Sequence, residues 1–300
     1  MPPPPLPIRD GLNPTRLHLP PDETWPTVLS YLLHRFPADE ARLLEKMDAA
    51  EVVDGDGVPV TRDTPYRHRT FVYLYRDPQV EQRVPFEIDI LHRDDTLLVV
   101  DKPHFLSTMA RGRYVVESAL VRLRRDLDLP TLSPAHRLDR VTAGVLMFTV
   151  DPAVRGAYQT MFAAGTVAKE YQAIAGVDPA RTWPVTVRSR IVKHRGVPRA
   201  EEVPGEPNAR SWIDLVDRRG AWGRYRLRPA TGKTHQLRLH MNALGLPIRN
   251  DNFYPELLDT AHDDYAAPLQ LLARSMTFTD PLSGRERHFQ TRRVLELPAG

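Results

Sequence analysis

Strand-like and helix-like segments alternate irregularly along this chain, without the regular strand–helix–strand interval of a parallel α/β sheet. Leu97-Leu98-Val99-Val100-Asp101-Lys102-Pro103 reads as a buried strand stopped by a proline. Val115 to Leu127 reads as a helix with Leu120, Leu123 and Leu127 on one face and basic residues on the other. Further strand-like stretches run from Gly144 to Val150, Tyr171 to Gly176 and Tyr225 to Pro229. The expected class is therefore α+β, with a largely antiparallel or mixed central sheet and flanking helices.

Three segments of different character divide the chain. Residues 1–14 form a proline-rich stretch without periodicity, expected to be a disordered tail. Residues 15–82 carry two helical stripes, Leu29/Leu32/Leu33 and Leu43/Leu44/Met47. Short strands follow, Val52-Val53, Val58-Pro59-Val60 and Phe71 to Tyr75, punctuated by Gly55 and Gly57. Two helices and then short strands suit a small S4-like α/β domain that binds RNA, and equally a structural cap. Residues 83–300 make the larger domain.

With no cysteine the chain forms no disulfide, thiolate zinc site or thiol nucleophile. Its proline-rich start does not read as a signal peptide, and no apolar run approaches the roughly 20 residues that span a bilayer. A cytoplasmic, monomeric protein that needs neither membrane nor metal is expected. The net charge is only +3, but fifteen Lys or Arg stand against five Asp or Glu between Arg181 and Asn250. Such a block, with Arg188, Arg190, Lys193, Arg195 and Lys233, is either a solvated face or a polyanion-binding surface.

Three motifs could carry chemistry. In the first, His136-Arg137-Leu138-Asp139-Arg140 and Thr142 precede the apolar strand Val145-Leu146-Met147-Phe148. An acid on a loop entering a buried strand faces a cleft from a rigid backbone, and two flanking arginines suit a carboxylate nucleophile. A surface Arg–Asp pair fits the same residues. In the second, Lys169-Glu170-Tyr171-Gln172-Ala173-Ile174-Ala175 alternates like a strand and sets Tyr171 beside small residues, as packing or as a stacking platform for a base. In the third, Arg228-Pro229 leads into Thr231-Gly232-Lys233-Thr234-His235-Gln236-Leu237-Arg238, read as a turn and a helix capped by Thr234 and stopped at Gly245. Gly232-Lys233-Thr234 is not a phosphate loop, because Leu227 replaces the glycine required five residues earlier. His235 and His240, five apart, do not share a helix face as zinc ligands would.

These motifs, in this order over roughly residues 84–297, resemble the RluA-type pseudouridine synthases. Asp101-Lys102-Pro103 resembles that family's opening Lys-Pro motif. The resemblance implies a pseudouridine synthase catalytic domain: an isomerase acting on RNA without a cofactor, with ribosomal RNA the first expectation and transfer RNA the second. It implies catalytic roles for Asp139 as nucleophile, for Tyr171 stacking on the base and assisting proton removal, and for Arg238 pairing with Asp139. It further implies substrate contacts from Arg137, Arg140, Lys102, Lys233, Thr234, His235 and Leu237, with Leu146 also expected in the pocket wall.

The sequence departs from the family pattern at Ala143, where serine is usual, at Lys233, where arginine is common, and at Asn250-Asp251, where Gly-Asp is common. Thr108 to Arg113 lacks the histidine often found after Lys-Pro. None of these removes a reacting group. Competing readings are a nucleoside hydrolase, which needs a second acid, and a catalytically silent RNA-binding protein.

Overall fold

The computed structural model describes residues 4–22, 24–78, 80–110, 112, 114–261 and 263–299. The chain divides into two compact units, Met1–Glu81 and Gln82–Gly300.

In the first unit, helices α1 (Val28–Arg35) and α2 (Glu40–Asp48) follow strand β1 (Thr15–His18) and precede β2 (Val52–Asp54) and β3 (Phe71–Leu74). The strands form one antiparallel sheet in the order β1-β3-β2. α1 starts at Thr27, whose hydroxyl accepts from the Ser30 amide while Ser30 Oγ accepts from the Thr27 amide, a reciprocal cap. Both helical stripes face the sheet, where Leu32, Leu43 and Met47 pack with Val52, Val72 and Leu74. Of the expected disordered tail, residues 1–3 lie outside the described residues. The stretch from Pro4 to Pro14 instead lies on this unit: Tyr75 donates to the Pro7 carbonyl at 2.5 Å, and Arg9 pairs with Glu51 at 2.8 Å while lying over the Tyr75 ring. Prolines have little backbone freedom to lose, so a few anchors suffice to order them.

The second unit is built on one eleven-stranded sheet. Its elements are β4 (Asp89–Arg93), β5 (Leu97–Lys102), α3 (Ala119–Asp126), β6 (Ser133–Pro134), β7 (Ala143–Thr149), α4 (Arg155–Ala163), β8 (Ala168–Gly176), β9 (Val185–Val192), β10 (Glu201–Val203), β11 (Ala209–Arg219), β12 (Trp222–Pro229), α5 (Gln236–Ala243), β13 (Leu271–Thr279) and β14 (Glu286–Gln290). The strand order is β10-β9-β11-β12-β8-β13-β7-β5-β4, with β14 added to β13 and β6 to β7. Every pairing is antiparallel except β13 with β7, which makes the sheet mixed, as the α+β class requires.

That parallel contact depends on Gly144. Its φ is +110°, and a Cβ there would stand 2.2 Å from the Ala273 carbonyl oxygen. Lacking one, Gly144 lets β13 lie against β7. A register row then crosses the sheet through Lys102, Gly144, Ala273, Tyr171, Leu227 and Ile213. The row joins the start of β7, just after the first motif, to the face of β8 that carries Tyr171, so the backbone requirement at Gly144 positions the second motif beside the first.

Two sequence expectations change here. The predicted 115–127 helix begins only at Ala119, capped by the Ser118 hydroxyl. Its basic residues are not all solvated: Arg122 and Arg124 are buried, bonding the Val84 and Leu132 carbonyls, with Glu117 and Glu87 beside Arg122. Leu146 lies in the core with Leu98 and Phe148, away from the cavity wall. No helix of the described residues is long and apolar enough to cross a membrane.

Candidate active site

The loop from β6 to β7 carries the first motif, and its backbone is pinned from three sides. His136 Nε2 accepts the Met147 amide at 3.1 Å, and its ring stacks on Phe162 with centroids 4.5 Å apart. Burial, reinforced by the charge of Lys169, pushes this imidazole down to about 3, so it serves as a neutral acceptor. The Thr108 hydroxyl brackets Leu138, donating to its carbonyl at 2.8 Å and accepting its amide at 3.0 Å. Beyond it, the Thr142 amide donates to the Asp139 carbonyl at 3.1 Å and closes a tight turn.

Lys102 anchors the same loop, which corrects its expected contact with substrate. The side chain is fully buried, and Nζ donates to the carbonyls of Pro103, Leu106 and Arg140 at 2.8, 2.7 and 3.2 Å. All three ammonium donors are used. Burial pushes this lysine well below its usual range, opposed by the charge of Asp139. Its part is to tie the end of β5 to the residue after Asp139.

The third motif forms a loop and helix α5, whose start differs from expectation. Thr234 does not cap it. His235 adopts φ +56°, in the left-handed region, and the helix begins at Gln236. Gln236 reaches back instead: Oε1 accepts from the Thr231 hydroxyl at 2.7 Å and the Lys233 amide at 3.1 Å, while Nε2 donates to the Arg210 carbonyl and Ser211 hydroxyl, both at 2.9 Å. His240 turns away from His235 and bonds Ser211 and Ser189.

Arg238 has a stronger partner than the expected one. Its guanidinium makes a bidentate bond with Asp251, Nε to Oδ2 at 2.7 Å and Nη2 to Oδ1 at 2.5 Å, with both side chains buried. Nη1 stands 4.0 Å from Asp139 Oδ2, close enough for attraction but beyond a hydrogen bond. Asp251 therefore holds the arginine, and the arginine presents a fixed positive charge to Asp139. Asn250, in the Asn-Asp departure, has φ +62°, a conformation that asparagine tolerates and glycine favours.

His235 occupies the other side of Asp139, Nε2 lying 3.9 Å from Oδ2. Burial pushes the ring down to about 4 despite the pull of Asp139. The Tyr254 hydroxyl donates to the Ala200 carbonyl at 2.7 Å, so His235 Nδ1, 3.0 Å away, must be the donor to it. The neutral ring then turns an unprotonated Nε2 toward the carboxylate. Two acceptors facing each other at this distance leave a place for a substrate N–H or O–H.

Tyr171 completes the group from β8. Burial and the charge of Asp139 push its phenol well above the usual range, which keeps it protonated. A cavity of about 350 Å³ is lined by Arg137, Asp139, Tyr171, Lys233, Thr234, His235, Leu237 and Arg238, among others. A neighbouring cavity of about 590 Å³ shares Arg137, Asp139, Thr234, His235 and Arg238, and adds Arg140. Arg140 is braced there, its Nη1 on the Phe105 carbonyl at 3.2 Å and its guanidinium over the Tyr114 ring. Arg137 is exposed between the two cavities. Of the residues predicted for the site and its pocket wall, the structure thus brings together all but Lys102 and Leu146. Of the segment 108–113, Arg111 and Arg113 lie outside the described residues.

Sequence reasoning missed Thr108, Gln236, Asp251 and Tyr254 as supports. Asp251 and Gln236 stood inside quoted motifs, whereas Tyr254 acts from a loop whose sequence gives no sign of its target.

The basic block does not form one surface. Ser189 faces α5 through His240, so Arg188 and Arg190, one residue to either side, project from the opposite face of β9. Only Lys193 and Lys233 of the five border the two cavities.

A family model described as RNA pseudouridylate synthase matches residues 96–243. The dual-specificity RNA pseudouridine synthase RluA of Haemophilus influenzae is 30% identical over 231 residues, covering 71% of this chain and 97% of that protein. The protein of the same name from Escherichia coli is 30% identical over 214 residues, covering 67% and 91%. Among solved structures, human RNA pseudouridylate synthase domain containing 4 shares the fold, with a TM-score of 0.53 at 22% identity over 70% of this chain and 88% of that one.

Proposed function

The chain belongs to the RluA-type pseudouridine synthase family, and from that premise we propose that it isomerises uridines of structured RNA, ribosomal first and transfer RNA second, with Asp139 as nucleophile. The observation that carries this reading is the convergence of Asp139, Tyr171 and Arg238 on one cavity from three separate motifs.

The reaction breaks the N1 glycosidic bond, turns the uracil, joins C5 to the ribose, and moves the C5 proton to N1. Nothing is oxidised or reduced. Asp139 acts as a covalent catalyst, at the ribose or at the base. Arg238, fixed by Asp251, offsets its charge and orients it. Arg137, exposed at the junction of the cavities, is placed to fill the gap left by a uridine drawn out of its stack, which costs a few kcal/mol. The Tyr171 ring and Leu237 give the detached uracil apolar surfaces that retain it. In either route C5 loses its proton after it has joined the ribose. Tyr171, kept a neutral phenol by burial and by the charge of Asp139, lies in the same cavity to assist that transfer.

A hydrolase would need a second carboxylate as partner. Among the described residues Asp139 is the only acid lining the smaller cavity, and the larger one adds only the exposed Asp259, which favours the isomerase. For the N-terminal unit, with its two helices followed by β2 and β3, we propose an S4-like role in holding RNA. The test is a map of pseudouridines in cellular RNA with and without the gene. At least one site should vanish and return with the wild-type gene but not with Asp139→Asn. Identical maps would contradict the proposal.

A further inference from the structure

Lys169 lines the smaller cavity and has no part in the reaction as proposed so far. It lies on β8 two residues before Tyr171, hence on the same face. Its side chain is half-buried, and no described residue gives its ammonium a hydrogen bond or ion pair. Its neighbour Glu170 points to the opposite face, where it bonds Arg228 at 2.9 Å and approaches Arg226 at 3.5 Å. Asp139 is flanked by Arg238 and His235 instead. A half-buried cation without a counter-ion is unfavourable, and here burial lowers the affinity of the ammonium for its proton.

Opposite Lys169 stands Gly232, where a Cβ would lie 4.0 Å from Nζ. The loop therefore presents bare backbone to the ammonium, with exposed Lys233 beside it. The lysine faces an open, positively charged part of the cavity that also holds the nucleophile. A ribose placed against Asp139 carries a phosphodiester on either side.

We propose that Lys169 Nζ binds a non-bridging oxygen of a phosphodiester attached to the target uridine, and so fixes the ribose against Asp139. This rests on the reading of the cavity as the uridine site. The test uses short RNA substrates with an uncharged methylphosphonate in place of the 5′ or the 3′ phosphate of the target, assayed with wild type, Lys169→Met and Lys169→Arg. Losing one charge-assisted hydrogen bond should raise KM about 10- to 100-fold in Lys169→Met, with kcat within about threefold. Lys169→Arg should recover part of the loss. One methylphosphonate, the 5′ or the 3′, should cost wild type a similar factor and cost Lys169→Met nothing more, which identifies the phosphate.

Independent, multiplying effects at both positions would overturn the proposal, as would an unchanged KM or a fall in kcat alone. If Lys169→Met does not fold, the wild-type arms still decide, since indifference to both methylphosphonates refutes it. Turnover by Asp139→Asn in the same assay would instead sink the reading of the site.

Discussion

Replacing Arg238 by Met separates the two things this arginine does. It removes one member of a buried bidentate pair whose side chains are 2% and 1% exposed. Asp251 is left as an uncompensated buried carboxylate, at a cost of about 3–5 kcal/mol. At about 2–4 °C per kcal/mol for a domain of this size, the melting temperature should fall by roughly 6–20 °C. The variant also loses the cation 4.0 Å from Asp139. Below its melting temperature, turnover should therefore drop by two or more powers of ten, on the order of what misplacing a catalytic group costs. The double variant Arg238→Met/Asp251→Asn distinguishes the effects. An amide at 251 still offers an oxygen to the Phe253 and Tyr254 amides that Asp251 now serves. It buries no charge, so most of the melting temperature should return while turnover should not. The assay is tritium release from RNA labelled at uridine C5, beside thermal unfolding of the same preparations. A near-wild-type rate for Arg238→Met, or recovery of turnover in the double variant, would refute a direct influence on Asp139.

Two further outcomes follow from charge placement. RNA affinity across a salt series should fall with a slope that flattens by about 0.7 for each phosphate contact removed from a single strand. Lys193→Ala and Lys233→Ala should flatten it and Tyr171→Phe should not, while Arg188→Ala and Arg190→Ala, on the far face of β9, should leave it unchanged; equal effects from all four charge variants would contradict this placement. His104, His136, His235 and His240 are pushed by burial down to about 4, 3, 4 and 4. Unfolded, each titrates near about 6.5. As pH falls below that value the unfolded chain takes up protons the folded chain refuses, so stability present at neutral pH is lost progressively toward pH ~4. Melting temperatures that stay flat between about pH 7.5 and 4.5 would contradict the buried, neutral state of these rings.

The reacting groups were legible because each sits in a short motif whose residue types the chemistry dictates. Their supports were less so. The sequence distinguishes an arginine that faces a carboxylate from one that is held by another carboxylate only through the position of Asp251, thirteen residues further on. Lys102 looked like a substrate contact because it adjoins the opening motif, yet its strand, buried along its whole length, carries it inside. The basic block looked continuous because strand alternation, which sends Arg188 and Ser189 to opposite faces, does not appear in a charge count. β1 escaped notice because Thr-Arg-Leu-His has a single large apolar residue, and it forms because β3 offers it an edge. β9, β11 and β13 were missed where arginines and polar residues on one face interrupt the apolar pattern on the other.

Asp139→Asn bears most directly on the assignment of the nucleophile. Asparagine keeps the shape of the side chain and removes its nucleophilic oxygen, so the loop held by His136, Thr108 and Lys102 should keep its conformation. Tritium release from C5-labelled RNA should stop, while the RNA dissociation constant should stay within about tenfold of wild type, a difference of about 1.4 kcal/mol. Measurable multiple turnover by a clean Asp139→Asn preparation would contradict Asp139 as the nucleophile.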